Sequence, residues 1–252
     1  ALPWKDLDID LVLECTGKFT DKAGAKKHID AGAKKVLISA PGKDLMPTIV
    51  YNVNESSLKP EDNIVSAASC TTNCLAPVLD ILNKNIGIEK GYMSTVHAFT
   101  NDQATQDVAH SKGIYARRGR SCNNNIVPTS TGAAKAIGLV IPDLLGKMDG
   151  IALRVPVIDG SMIDLTLQLK SNTSVEQINE LFKNNQNETI KFTMDPIVSS
   201  DCINKTCGAL VDGLLTQLLD VNGQQLVKVI AWYDNESGYT AQMLRTARCM
   251  FK

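Results

Sequence analysis

Ile9-Asp-Leu-Val-Leu-Glu-Cys-Thr-Gly17, with Asp21 to Ala33 behind it and Val36-Leu-Ile-Ser39 after that, decides the fold. Ile9 to Glu14 is an apolar run that ends at Cys-Thr-Gly, which predicts a buried strand entering a loop. Asp21 to Ala33 has helical composition, with Asp21 placed to cap it and Gly32 placed to end it. Val36 to Ser39 predicts a second strand, stopped by Ala40-Pro41-Gly42. Strand, helix and strand in this order imply a right-handed parallel crossover. Thr48 to Tyr51 and Ile64 to Ser66 read as two further short strands. Residues 1–69 are therefore expected to form the later part of a doubly wound α/β sheet. A complete dinucleotide fold has two βαβαβ halves. Only one is present here, no G-x-G-x-x-G occurs, and the chain opens on Ala-Leu-Pro-Trp, so a leading half is expected to be missing.

The pattern changes at Cys70. Leu75, Val78, Leu79 and Leu82 form one helical stripe over Cys70 to Asn85, interrupted by Pro77. Tyr92 to Phe99 reads as a strand, and Asn101 to Asn125 as a long irregular loop. A helix is expected from Thr131 to Gly138. Ile151 to Val157 and Met162 to Leu169 alternate like antiparallel strands. Val175 to Asn185 reads as a helix capped by Ser174, Leu226 to Tyr233 as a strand, and Tyr239 to Met250 as a closing helix. The fold class is α/β plus α+β: the C-terminal half of a Rossmann-like parallel sheet, then a catalytic domain with a mostly antiparallel sheet and helices.

The 252 residues carry 26 basic and 27 acidic side chains, a balance that argues against nucleic acid as the main partner. Arg117, Arg118 and Arg120 form the one basic cluster, which charge alone reads as a solvated loop. No apolar stretch reaches the ~18–20 residues needed to span a bilayer, so no membrane association is expected. Seven cysteines, odd in number and irregular in spacing, point to reduced thiols and a cytoplasmic protein. No metal site is expected: there is no C-x-x-C pair, and His28, His97 and His110 fall in no ligand spacing. His28 and His110 read as surface residues.

Ser69-Cys70-Thr71-Thr72-Asn73-Cys74 is the richest segment chemically. A thiol at a helix start meets free N–H groups and partial positive charge, which favour thiolate. The flanking hydroxyls and amides can hold an anion. His97, near the end of a strand, is the candidate base. A buried cysteine is also commonly an inert packing residue, and a histidine near a strand end a structural one, so neither residue decides the matter alone. Cys74, one turn on, reads as a packed thiol.

Ser66-Ala-Ala-Ser-Cys-Thr-Thr-Asn-Cys-Leu-Ala-Pro-Val78 closely resembles the active-site signature of the glyceraldehyde-3-phosphate dehydrogenases. Glu14-Cys-Thr-Gly17, Ser39-Ala-Pro41, Thr95-Val-His-Ala-Phe-Thr-Asn-Asp-Gln103, Pro128-Thr-Ser-Thr-Gly-Ala-Ala-Lys-Ala136, Leu153-Arg-Val-Pro156 and Trp232-Tyr-Asp-Asn-Glu236 also match that family, in family order. Val157-Ile-Asp-Gly-Ser161 departs from its usual run.

The resemblance implies oxidation of D-glyceraldehyde 3-phosphate to 1,3-bisphosphoglycerate with NAD, a step of glycolysis. Cys70 would attack the aldehyde, His97 would take the proton, and a thioester on Cys70 would be discharged by inorganic phosphate. Ser69, Thr71, Thr131 and Gly132 match the site of the attacking phosphate. Thr100, Arg118 and Arg154 match the grip on the substrate phosphate. Thr16, Gly17, Ser39, Asn101, Asn235 and Tyr239 match cofactor contacts. The family also implies a homotetramer, with residues 1–69 and 234–252 in the NAD-binding domain and 70–233 in the catalytic domain. Without the leading segment, the chain alone is expected to bind NAD poorly and to be inactive. The rival expectations are an erythrose-4-phosphate dehydrogenase of the same fold, or a non-catalytic binding protein.

Overall fold

The computed structural model describes residues 2–251; Ala1 and Lys252, the outer ends of the expected cofactor-domain segments, lie outside the described residues. Strands β1 (Leu11–Glu14), β2 (Lys35–Ile38) and β3 (Ile64–Ser66) form a parallel sheet in the order β1-β2-β3. Helix α1 (Lys22–Asp30) makes the crossover from β1 to β2. Asp21 starts it by accepting the Gly24 N–H at 2.6 Å. Strand β2 shows why both faces must be covered. Val36 and Ile38 pack with Ala25 of α1, whereas Leu37 packs with Met243 and Ala247 of α5 (Ser237–Cys249) on the other side. A period of two thus sends alternate apolar residues to opposite helices.

The expected strand Thr48 to Tyr51 is reduced to a single bridge, Thr48 to Ser66. The Asn54 side chain explains this. It accepts the Val50 N–H at 2.8 Å and donates to the Thr48 carbonyl at 2.9 Å, taking the backbone groups a ladder would need.

The second sheet is larger. Its strands are β4 (Ile88–Ala98), β5 (Val127–Ser130), β6 (Met148–Val155), β7 (Ser161–Leu169), β8 (Ile190–Thr193), β9 (Ala209–Asp212), β10 (Gln217–Val221) and β11 (Gln224–Tyr233). They lie in the order β5-β6-β4-β7-β11-β9-β8, with β10 paired to β11. Strands β6 and β7 alternate as expected but do not pair with each other. Strand β4 lies between them, parallel to β6 and antiparallel to β7. The cause is helix α3 (Ala133–Val140), which lies in the long crossover between β4 and β6 and returns the chain in the same direction.

Helices α2 (Cys70–Asn85), α3 and α4 (Val175–Asn184) pack on one face of this sheet. Leu75, Leu79 and Leu82 of α2 meet Ile163, Leu165 and Leu167 of β7 and Val227 and Val229 of β11 in one apolar core. Helix α2 runs unbroken through Pro77, which has no N–H to return to the Asn73 carbonyl. On the opposite face of the sheet Tyr92, Ile151 and Leu226 remain exposed.

His28 corrects its expected surface position: it is buried on α1. The Trp4 indole N–H donates to its Nδ1 at 3.1 Å, which leaves the proton on Nε2, facing Glu14 Oε2 at 2.8 Å. These partners are 24 and 14 residues away in sequence.

Candidate active site

The site begins at the turn joining β3 to α2. Ala68 sits there with φ of 58°, a left-handed conformation costly for a residue with a Cβ. Several bonds hold it. The Ala68 N–H donates to Ser66 Oγ at 3.1 Å, and its carbonyl accepts the Tyr239 hydroxyl at 3.1 Å. The buried Asn73 amide donates to the carbonyls of Ala67 at 2.9 Å and Ser69 at 3.0 Å. The turn places Ser69 as the cap of α2, accepting the Thr72 N–H at 3.1 Å. The N–H groups of Cys70 and Thr71 stay outside the helical ladder.

Strand β4 brings His97 to this helix start, with Nε2 3.4 Å from Cys70 Sγ. The other ring nitrogen, Nδ1, lies 2.7 Å from the Ala98 carbonyl. Arg154 Nη1, a donor only, also lies 3.2 Å from Nδ1, but the carbonyl is the nearer partner and only accepts, so we assign the proton to Nδ1, with Nε2 offering a lone pair to the thiol. Arg154 Nη1 donates to the same carbonyl at 3.0 Å and to Thr100 Oγ1 at 2.9 Å. The imidazole also packs edge-on to Tyr233, at 5.8 Å between ring centroids.

Burial and charge act on both members of the pair. It pushes the His97 imidazole from its ordinary 6.5 down to about 4, with the Arg154 charge adding to the effect. Burial pushes the Cys70 thiol up, against the pull of the Arg154 charge and hydrogen bonds from Thr71. Burial thus opposes the thiolate that the helix start favours, while the Arg154 charge and the Thr71 hydrogen bonds support it.

Cys70 and His97 open into a cleft of about 270 Å³. Ser69, Thr71, Arg118, Thr131, Gly132 and Arg154 line it too, so seven predicted residues from four separate motifs meet Arg118 of the basic cluster in one place. Two helix starts face this space, α2 at Ser69 and Cys70 and α3 at Gly132 and Ala133. Thr131 Oγ1 accepts the Ala133 N–H at 3.2 Å. Arg118 Nε and Nη2 donate to Thr129 Oγ1 at 3.0 and 2.7 Å. Thr100 joins through its bond to Arg154. Two guanidinium groups, hydroxyls and helix-start amides make a cationic, donor-rich hollow suited to phosphate oxygens. Arg117 and Arg120, in contrast, are exposed.

Thr16 and Gly17 follow β1, and Ser39 follows β2, at the carboxyl ends of the parallel strands where ligands of such sheets bind. The buried Glu14 carboxylate holds the first of these, accepting the Thr16 N–H at 2.8 Å and the Thr16 hydroxyl. Gly17 has φ of 71°, and a Cβ there would meet nothing within 4 Å, leaving room for a ligand against the backbone. Asn235 Oδ1 accepts the Ser161 hydroxyl at 2.8 Å, and Ser161 Oγ accepts the Ala98 N–H at 3.1 Å. The amide of Asn235 is thereby fixed next to the His97 strand end. Asn101 lies in a short helical turn (Asn101–Gln103) with its side chain exposed, outside the Cys70 cleft.

Tyr233 lies in the Trp232–Glu236 motif, but the sequence assigns it no role of its own. Its hydroxyl lies 2.9 Å from Thr71 Oγ1 and 2.8 Å from Thr95 Oγ1. Thr95 donates to the Met162 carbonyl at 2.9 Å, so Tyr233 must donate to Thr95 and accept from Thr71. This one-way chain ties the start of α2 to β4 and β7.

The family described as "Glyceraldehyde 3-phosphate dehydrogenase, C-terminal domain" matches residues 69–235. A glyceraldehyde-3-phosphate dehydrogenase of Clostridium acetobutylicum is 56% identical over 245 residues, covering 97% of this chain and 73% of its own length. Proteins of the same name from Clostridium pasteurianum and Streptococcus pyogenes are 54% and 50% identical, with the same coverage. The family match spans the residues that build the cleft and the relatives align along nearly the whole chain, which therefore belongs to the glyceraldehyde-3-phosphate dehydrogenase family.

Proposed function

We propose that the protein oxidises D-glyceraldehyde 3-phosphate and passes the acyl group to inorganic phosphate, giving 1,3-bisphosphoglycerate in glycolysis. The single observation that carries this is the Cys70 Sγ to His97 Nε2 approach of 3.4 Å inside a cleft lined by Arg118 and Arg154.

Cys70 supplies the nucleophile. As its sulfur adds to the aldehyde carbon, the thiol proton passes to His97 Nε2, the one ring nitrogen with a free lone pair. The imidazolium so formed keeps its Nδ1–H on the Ala98 carbonyl, so the ring does not turn during the transfer. The N–H groups at the start of α2 are placed to stabilise oxygen charge on the adduct. NAD, when bound, supplies the hydride acceptor that converts the adduct on Cys70 into a thioester. Thr16, Gly17, Ser39, Asn235 and Tyr239 are the residues we assign to holding it, with Asn101 as a further contact. Thr100, Arg118 and Arg154 hold the substrate phosphate, and Ser69, Thr71, Thr131 and Gly132 hold the attacking one. A thioester retains the oxidation energy, so phosphate can capture it as an acyl phosphate.

Cys15, Cys70, Cys74, Cys122, Cys202 and Cys207 are free thiols, which supports a reducing cytoplasmic setting. Exposed Tyr92, Ile151 and Leu226 on the larger sheet support subunit contact within a homotetramer. The test is NADH formation by the protein expressed from its whole reading frame, with glyceraldehyde 3-phosphate, with and without inorganic phosphate. Turnover that requires phosphate and is lost in Cys70→Ser supports the assignment. Turnover independent of phosphate would move it to an aldehyde dehydrogenase that hydrolyses its thioester.

A further inference from the structure

We propose that His28 is a positioning residue for the turn that follows β1, acting through the Glu14 carboxylate to hold Thr16 and Gly17 in the form that receives the cofactor. This rests on the assignment of Thr16, Gly17 and Ser39 to NAD.

Residues 15–18 are all exposed, so no apolar packing fixes this turn. Glu14, 3% exposed at the end of β1, fixes it instead. Its Oε1 accepts the Thr16 N–H at 2.8 Å and the Thr16 hydroxyl as well. The Lys18 N–H then closes back on Thr16 Oγ1 at 3.2 Å. The Glu14 backbone carbonyl accepts the Ser39 N–H at 3.0 Å. One residue thus joins two positions assigned to the cofactor, Thr16 after β1 and Ser39 after β2.

Glu14 depends in turn on His28. Burial raises the Glu14 carboxyl, but the bonds from Thr16 and His28 outweigh it and hold the group below its ordinary value. Thr16 occupies one carboxylate oxygen, and His28 Nε2 meets the other, Oε2, at 2.8 Å. The ring is held in place from two sides. Trp4 donates to Nδ1 at 3.1 Å, and Phe19, just beyond the turn, packs edge-on at 6.3 Å between ring centroids. The turn is therefore wrapped around a side chain of α1. Without the His28 N–H, one oxygen of a buried carboxylate is left unpaired. The carboxylate then gains by rotating toward water, and Thr16 loses the acceptor that aims it.

The experiment is a calorimetric titration with NAD, without aldehyde or phosphate, of the protein expressed from its whole reading frame, as wild type, His28→Gln and His28→Phe. Glutamine can keep an N–H on Glu14 Oε2, whereas phenylalanine fills the space without one. NAD binding is expected to weaken about five- to twentyfold in His28→Phe and to stay within about threefold of the wild type in His28→Gln. In turnover the KM for NAD should follow the same order, with kcat and the KM for phosphate unmoved. Melting curves check that each protein is folded. Should His28→Phe not fold, His28→Asn, whose amide is too short to reach Oε2, takes its place with the same weakening expected. A folded variant of either kind that binds NAD as the wild type does, or His28→Gln as weak as these, overturns the positioning role alone. A wild type that binds no NAD overturns the cofactor assignment instead.

Discussion

His97 directs Nε2 at the Cys70 sulfur, 3.4 Å away, because its Nδ1–H is committed to the carbonyl of the next residue, Ala98, at 2.7 Å. A local backbone bond thus selects the tautomer that can act as base. The same burial that keeps the ring neutral has a cost that depends on pH.

That cost is measurable. With the His97 value lowered from 6.5 to about 4, the unfolded chain takes up a proton below pH 6.5 that the folded chain refuses until about pH 4. Stability from this group is present above the unfolded value and is lost as pH falls through that window. Between pH 7 and pH 5 the loss is about 2 kcal/mol. Urea denaturation of His97→Asn should show a stability drop over this range smaller by that amount. An identical drop in both proteins would contradict the buried neutral imidazole.

Arg154 pulls the Cys70 thiol down against burial. Arg154→Gln removes that pull. Alkylation of Cys70 by iodoacetamide at pH 8 should slow about three- to tenfold, since only the thiolate reacts. Unchanged or faster alkylation would mean the guanidinium does not act on the sulfur.

Tyr233→Phe deletes the middle of the chain from Thr71 to Thr95. Two buried hydroxyls lose a partner, so a loss of about 1–2 kcal/mol in stability is expected. Thr71 is also released within the cleft, and the KM for inorganic phosphate should rise more than the KM for NAD. Equal rises in both would indicate a general loosening instead.

Ser161→Ala frees the Asn235 amide and leaves the Ala98 N–H without its acceptor. The KM for NAD should rise with little change in the KM for phosphate. The opposite split would place Asn235 away from the cofactor.

The candidate site was legible where chemistry is carried by residue type within short motifs. Ser69, Cys70 and Thr71 adjoin one another, and the apolar stripe behind them marks the helix start that displays them. Contacts made by folding were not legible. Tyr233 finds Thr71 and Thr95 at separations of 162 and 138 residues. Its phenol within an apolar strand gave no sign of a partner. His28 looked like a surface residue because Trp4 and Glu14 approach it only after α1 docks. Alternation along β6 and β7 revealed strands but not their neighbours, since a period of two fixes which side chains face the core and not which strand lies alongside. Strands β8, β9 and β10 are short, at four to five residues, and their mixed exposure left no clear period. The burial that opposes a thiolate at Cys70 was not legible, because a sequence displays the helix start but not what packs around it.

The central claim is that Cys70 carries the acyl group, and mass spectrometry tests it most directly. The protein would be mixed with glyceraldehyde 3-phosphate and NAD without phosphate, quenched in acid and digested. The account predicts a phosphoglyceryl adduct on the peptide containing Cys70, absent in Cys70→Ser and discharged on adding inorganic phosphate. NADH formation with no adduct on Cys70, or with the adduct on Cys74, would contradict it.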